Sequence, residues 1–269
     1  MTHQPAPSMP AAPSPQAIPF LERPLLTYTI LTILIGALLV EGVYQQVSDT
    51  ATLSYPLLTW GALDFQRVVR YGEHYRLFTA MFLHAGQIHL LFNAFALFFY
   101  GRSLEHMWGR GRFAAIYLLG GLSGSLASLI FNRGTSIGAS GAIFAIFGSY
   151  IVFIYQNRIL FGELGKRELR NLAGFAALNF GLGLLTQVIP GTRGIDNWGH
   201  IGGFVGGIIL GSLITPLYLP SGEFFTPSEG GAPRQRIVRG RPFRQTWYIP
   251  LIYAAALLVI YIFALGSLR

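Results

Sequence analysis

Seven blocks of nearly unbroken apolar residues, 25–44, 83–101, 113–131, 138–155, 171–189, 198–219 and 247–266, follow one another along the chain, and the charges collect between them. Each block approaches the roughly 20 residues of helix needed to cross about 30 Å of hydrocarbon. A transmembrane β-strand alternates apolar and polar positions, which runs such as LLTYTILTILIGALLV do not. Closed barrels are the only other way to satisfy a backbone in lipid, so the pattern predicts an all-α, polytopic membrane bundle. The segment 220–246, rich in Pro, Gly, Ser and Arg, sets the last block apart from the first six. The expected architecture is therefore six plus one: a core over 25–219, a basic linker over 220–246, and a seventh helix with the C-terminus over 247–269.

Composition agrees with this solvent: 52% of the 269 residues are hydrophobic and 11% are charged, against about a quarter charged in soluble domains. Residues 1–24 hold seven prolines and little that could build a core, so they read as a disordered tail. They lack the basic start and short apolar stretch of a cleaved signal peptide, which makes the first span an uncleaved anchor. There are no cysteines, so disulfide and thiolate chemistry is excluded.

The net charge of +8 raises the question of nucleic acid, but the placement of the basic residues explains it as topology. Thirteen Lys and Arg residues, including Arg102, Arg110, Arg112, Arg158 and the linker arginines, fall on the side of the N-terminus, against six on the other. Positive-inside bias then predicts a cytoplasmic N-terminus and an outer C-terminus. No nucleic-acid partner is needed. A bacterial plasma membrane is the expected location.

With that orientation, spans two, four and six all start from the outer face, and each carries polar residues near that start: His84, His89 and Asn93, then Ser140, then Asn197 and His200. At about 1.5 Å per residue they lie at similar shallow depth. Polar groups inside a bilayer are costly and mark functional sites by default. Small residues predict how they meet. Gly141, Ala145 and Ser149 make one ridge at i, i+4, i+8, and Gly199, Gly203, Gly207 and Gly211 make another. Such ridges let backbones approach closely, which would bring Ser140 and His200 within reach. Packing alone accounts for a lone Gly-x-Ser-Gly; packing and chemistry are compatible here.

A serine becomes nucleophilic when a neighbouring base takes its proton, and neutral histidine is the usual base. The oxyanion of an acyl-transfer intermediate needs donors. The free amides at the start of the fourth helix, that of Ser140 included, and the side chains of His89 and Asn93 at i and i+4 can supply them. Asp196 precedes His200 by four residues, but it stands where an N-cap belongs, so the set reads as a dyad rather than a triad. Metal binding by His84, His89 and His200 is the rival chemistry. No HExxH, cysteine or carboxylate at ligand spacing accompanies them, so neither metal nor cofactor is expected.

The stretches HAGQIHLLFNAF, GASGAIFAIFG and NWGHIGGFVGG, in this order and on these spans, resemble the rhomboid family of intramembrane serine proteases over about residues 60–215. The resemblance implies that Ser140 is the nucleophile, His200 the base, and His89 and Asn93, with the Ser140 amide, the oxyanion hole. It implies water access from outside and cleavage of single-span membrane proteins, the expected partners together with the bilayer. Gly138, Gly141, Phe144 and Trp198 are expected to line the site, and Arg76, Glu105, Gly199 and Gly203 to be structural. Departures are visible: Tyr75-Arg76 replaces the usual Trp-Arg, Phe144 replaces a tyrosine, and Gly199 replaces an alanine. A non-catalytic relative that binds membrane clients would be expected to lack the serine or the histidine, and both are present. A transporter would show broken helices in inverted repeats near the bilayer centre; the polar layer here is one-sided.

Overall fold

In a computed structural model, residues 23–47, 55–188, 194–225 and 234–268 are described; the tail assigned to 1–24 lies almost wholly outside them. The chain is an all-α membrane bundle carrying two small β pairings. Helix α1 spans Leu25–Val47. A segment of short elements follows: α2 (Pro56–Gly61), β1 (Leu63–Asp64), α3 (Phe65–Tyr71) and α4 (Arg76–Thr79). Then come α5 (Gln87–Ala96), α6 (Arg102–Trp108), α7 (Arg110–Phe131), β2 (Thr135–Ser136), α8 (Ser140–Gln156), α9 (Arg158–Val188) and α10 (Asn197–Ile214). Strands β3 (Leu217–Phe225) and β4 (Arg234–Gly240) precede α11 (Ile249–Leu268).

By length and composition four of these helices could cross a membrane, α1, α7, α10 and α11, or five if the bent pair Arg76–Phe82 and Gln87–Trp108 is one span. Two blocks behave differently from the hydropathy pattern. The second is not a straight helix from 83: the chain turns by 88° at residues 83–86, where Gly86 adopts a φ of +132° that a side chain would resist. His84 therefore lies in the bend rather than on a helix. The block then continues through a π-helical turn, Leu97–Gly101, into α6. The sixth ends at Ile214 rather than 219, because Pro216 cannot continue a helix and Thr215 before it is already extended.

The segment between α10 and α11 carries regular structure of its own. Part of 220–246 forms an antiparallel hairpin in which Leu217 faces Gly240 and Phe225 faces Arg234, with a register shift between Pro220 and Phe224. Its Pro, Gly and Arg content concealed the apolar pairs, such as Phe224-Phe225 and Ile237-Val238, that give a strand its propensity.

Helices α7, α8 and α10 make the centre. Helix α8 is apolar on all sides and buried on most of them, as a helix enclosed by others must be. Water does not drive this packing in lipid; close backbone contact does. A Cβ placed on Gly203 would sit 2.0 Å from the Gly141 carbonyl oxygen, and one on Gly207 2.1 Å from that of Ala145. Ser149 Oγ–H donates to the Gly207 carbonyl at 2.8 Å. The ridges read from the sequence are the contact surface.

Buried charges sit at helix ends, where orphan backbone groups need partners. Glu105 accepts from the amides of Leu26 (2.9 Å) and Thr27 (2.7 Å) and from the Thr27 hydroxyl, capping α1. Glu41 does the same for α2 through Leu57 at 3.0 Å. The Arg112 guanidinium donates to the carbonyls of Trp108, Ile214 and Arg241, closing the C-terminus of α10. Arg241 donates to Ser212 and Thr215 at that same end. Helix α11 is mostly exposed and attaches by Tyr253 to Ser123 (2.7 Å) and by Tyr261 to His74.

Candidate active site

Ser140 is the first residue of α8, and the first intrahelical bond there runs from the Ile143 amide to the Ala139 carbonyl. The amides of Ser140, Gly141 and Ala142 thus face forward without helical partners, at the positive end of the helix dipole. Across the Gly141–Gly203 contact, His200 projects from the first turn of α10. Its Nε2 lies 2.8 Å from Ser140 Oγ. Phe144, one turn into α8, lies flat on the imidazole, with centroids 4.4 Å apart and planes at 13°. Phe180 of α9 meets the same ring edge-on at 6.2 Å.

Asp196 caps α10: its Oδ1 accepts from the Gly199 amide at 3.1 Å. His200 Nδ1 is buried without a side-chain partner. Asp196 Oδ2 is buried without a hydrogen-bond partner and the side chain makes no bond to His200, so the hydroxyl and imidazole stand as a pair.

Gly138 joins α5 to this pair. Its φ of +127° and the bond from its amide to the Ala80 carbonyl (2.9 Å) hold the approach to α8. A Cβ there would lie 2.9 Å from His89 Nε2 and 3.7 Å from Ser140 Oγ, so only glycine lets the two side chains share this corner. The Ala85 amide donates to His89 Nδ1 across a long 3.5 Å. With that nitrogen accepting, the proton resides on Nε2, the ring nitrogen beside Gly138. Asn93 is buried one turn further on, its amide nitrogen 3.1 Å from the His89 carbonyl.

The remaining residues fall into place around this centre. Gly141 and Gly203 are the helix contact described above. Gly199 presses its carbonyl on Gly124, where a Cβ would come within 2.6 Å of it. Arg76 is buried and donates to Glu73 and to the carbonyls of Ala62 and Thr59, fastening the segment between α1 and α5, while Tyr75 stacks on Trp60 at 5.0 Å. Glu105 lies at the opposite end of the bundle as the α1 cap. Trp198 differs from its expected place: it is exposed and its ring faces Phe131 at 4.7 Å, not the Ser140–His200 pair. Successive helical positions diverge by about 100°, which turns residue 198 away from the face that residue 200 shares with α8. His84 sits edge-on to His89 at 5.0 Å, and no group of three or more metal-ligating side chains forms among the described residues. Phe180 and Glu41 were not singled out from the sequence. A carboxylate inside an apolar span was the signal for Glu41; Phe180 offered none.

Fold and site together define a multi-pass helical membrane protein with a hydroxyl–imidazole pair at a helix N-terminus. A family profile described as the Rhomboid domain matches residues 71–217, and the chain belongs to the rhomboid family. It is 35% identical to RHOMBOID-like protein 1 of Arabidopsis thaliana over 81% of this chain and 57% of that one. It is 36% identical to Rhomboid protease GluP of Bacillus subtilis over 63% of this chain and 31% of that one. To RHOMBOID-like protein 6, mitochondrial, of Arabidopsis thaliana it is 36% identical over 74% of this chain and 61% of that one. The chain thus spans between about a third and three fifths of the length of these relatives.

Proposed function

We propose that the chain is an intramembrane serine protease that cleaves single-span membrane proteins in or near their membrane segment. The observation that carries this reading is the 2.8 Å contact between Ser140 Oγ and His200 Nε2 beside free α8 amides. His200 takes the hydroxyl proton at Nε2 as Oγ attacks the scissile carbonyl carbon. The resulting oxyanion is met by the Ser140 amide and the His89 Nε2–H, with Asn93 beside them. Collapse breaks the C–N bond, and the imidazolium passes its proton to the leaving amine. Water, deprotonated by the same imidazole, then releases the acyl group from Oγ. A helical substrate must unwind locally first, so Gly or Pro near its cut favours cleavage.

The same reading counts six spans in the catalytic core and α11 as a seventh, with the N-terminus cytoplasmic in a bacterial plasma membrane. Its test is cleavage of a transmembrane peptide by the purified protein in liposomes, with a serine-reactive phosphonate as probe. Wild type should cleave and label at Ser140, and Ser140→Ala and His200→Ala should do neither. Cleavage by Ser140→Ala would reject the mechanism. A wild type that is inert to both substrate and probe would make the chain a non-catalytic binder of membrane clients.

A further inference from the structure

Well below the serine, between α5–α6 on one side and α8–α9 on the other, lies a cavity of about 380 Å³. Its walls combine Phe95, Phe99, Tyr100 and Tyr150 with Ser103, Glu168 and Asn171. Tyr150 is ten residues along α8 from Ser140, or about 15 Å at helical rise, so the cavity has no part in the chemistry at the helix start. Glu168 and Asn171 make no hydrogen bond or ion pair with another described side chain.

We infer that this cavity holds the primary ammonium headgroup of a membrane phospholipid, an ethanolamine phospholipid in the leaflet facing the α6–α7 turn. Three features fix the chemistry. An ammonium has three N–H donors, and the cavity offers three acceptors: the Glu168 carboxylate, the Asn171 amide oxygen and the Ser103 hydroxyl. Aromatic rings line the cavity beside them, and an ammonium is favoured against such rings. Basic residues of the same two helices, Arg102 of α6 and Arg167 and Arg170 of α9, give this end of the bundle the positive charge that a headgroup phosphate seeks. They would also repel an isolated cation, which argues for a ligand carrying both charges. Above the cavity, exposed Phe92 and Phe95 on α5 and Leu178, Leu182 and Leu185 on α9 give the acyl chains an apolar path along the bundle.

A carboxylate with an ammonium is a charge-assisted pair, stronger than a neutral hydrogen bond and lost when the acid becomes an amide. A quaternary choline headgroup keeps the cation but has no N–H to donate, and a glycerol headgroup has no cation. The test is native mass spectrometry of the full chain, released from detergent with equal amounts of ethanolamine, choline and glycerol phospholipids bearing identical acyl chains. Ethanolamine lipid should be retained about tenfold over the other two, equivalent to roughly 1.4 kcal/mol. Glu168→Gln and Asn171→Leu should each remove most of that preference without lowering the melting temperature in lipid-free detergent. Equal retention of the three headgroups, a preference for choline, or a preference unchanged in Glu168→Gln would each overturn the assignment. So would displacement of the lipid by a transmembrane peptide with a lysine flank, which would make the cavity a peptide site.

Discussion

Phe144 covers one face of the His200 imidazole at 4.4 Å, with the ring planes 13° apart. A plane laid on a ring fixes its tilt, so the direction of Nε2 toward Ser140 depends on an aromatic one turn along α8. Phe144→Ala should lower kcat/KM about three- to tenfold, in line with roughly 0.5–1.5 kcal/mol for an aromatic pair. Phe144→Tyr should retain the wild-type value. Steady-state cleavage of one transmembrane substrate by the three proteins measures both.

Gly203→Ala should be among the more damaging changes of a single methyl group. The new Cβ would lie 2.0 Å from the Gly141 oxygen, on backbone that cannot rotate away. Overpacking of this kind costs about 1–3 kcal/mol, and it separates the two helices that carry Ser140 and His200. Gly174→Ala is the control: nothing lies within 4 Å of its Cβ. Thermal unfolding in detergent should show a fall for the first and none for the second.

Removing the Glu105 carboxylate strands two α1 amides and a buried hydroxyl at once. Hydrogen bonds to a charged group contribute roughly 1.5–3 kcal/mol each when broken one-sidedly, so Glu105→Ala should destabilise by about 3 kcal/mol or more. Glu105→Gln keeps one acceptor oxygen and should lose less. Denaturation midpoints of the two variants at constant detergent discriminate a cap from a bystander.

Glu73 links Arg76 and Arg67 in the segment between α1 and α5, and its hydrogen bond to Arg76 holds the carboxyl below its ordinary value of 4.5. A depressed carboxyl contributes stability that is complete above the unfolded value and is lost as pH falls through the folded one. Protease accessibility of residues 55–82 should thus be flat at neutral pH and rise only in acid below the usual carboxylate range. In Glu73→Gln that acid step should disappear, with a more accessible segment at every pH. An unchanged acid step in the variant would show that Glu73 is not the titrating group.

What could be read from the chain alone followed the range of each signal. The α8–α10 contact was legible because small residues at spacing four lie on one helix face whatever the partner is. Asp196 was legible as a cap from position alone. Arg112 was not: it looked like one of many cytoplasmic charges, and only the fold brings the end of α10 to it from 102 positions away. The bend at Gly86 escaped hydropathy because residues on both sides of it are apolar. Trp198 was misplaced for a different reason, since membership of a motif says nothing about which side of a helix a residue faces.

Helix α10 is tied at both ends, by Asp196 at its first turn and by Arg112 and Arg241 at its last carbonyls. A helix held at one end can slide along its neighbour; one pinned at two cannot change register. Slippage by a single residue would raise the imidazole about 1.5 Å and swing it through about 100°, presenting Gly199 or Ile201 to the serine instead. The two clamps therefore act as a vernier stop on the distance between Ser140 and His200, and any movement that opens the space beside this pair has to come from helices other than this one.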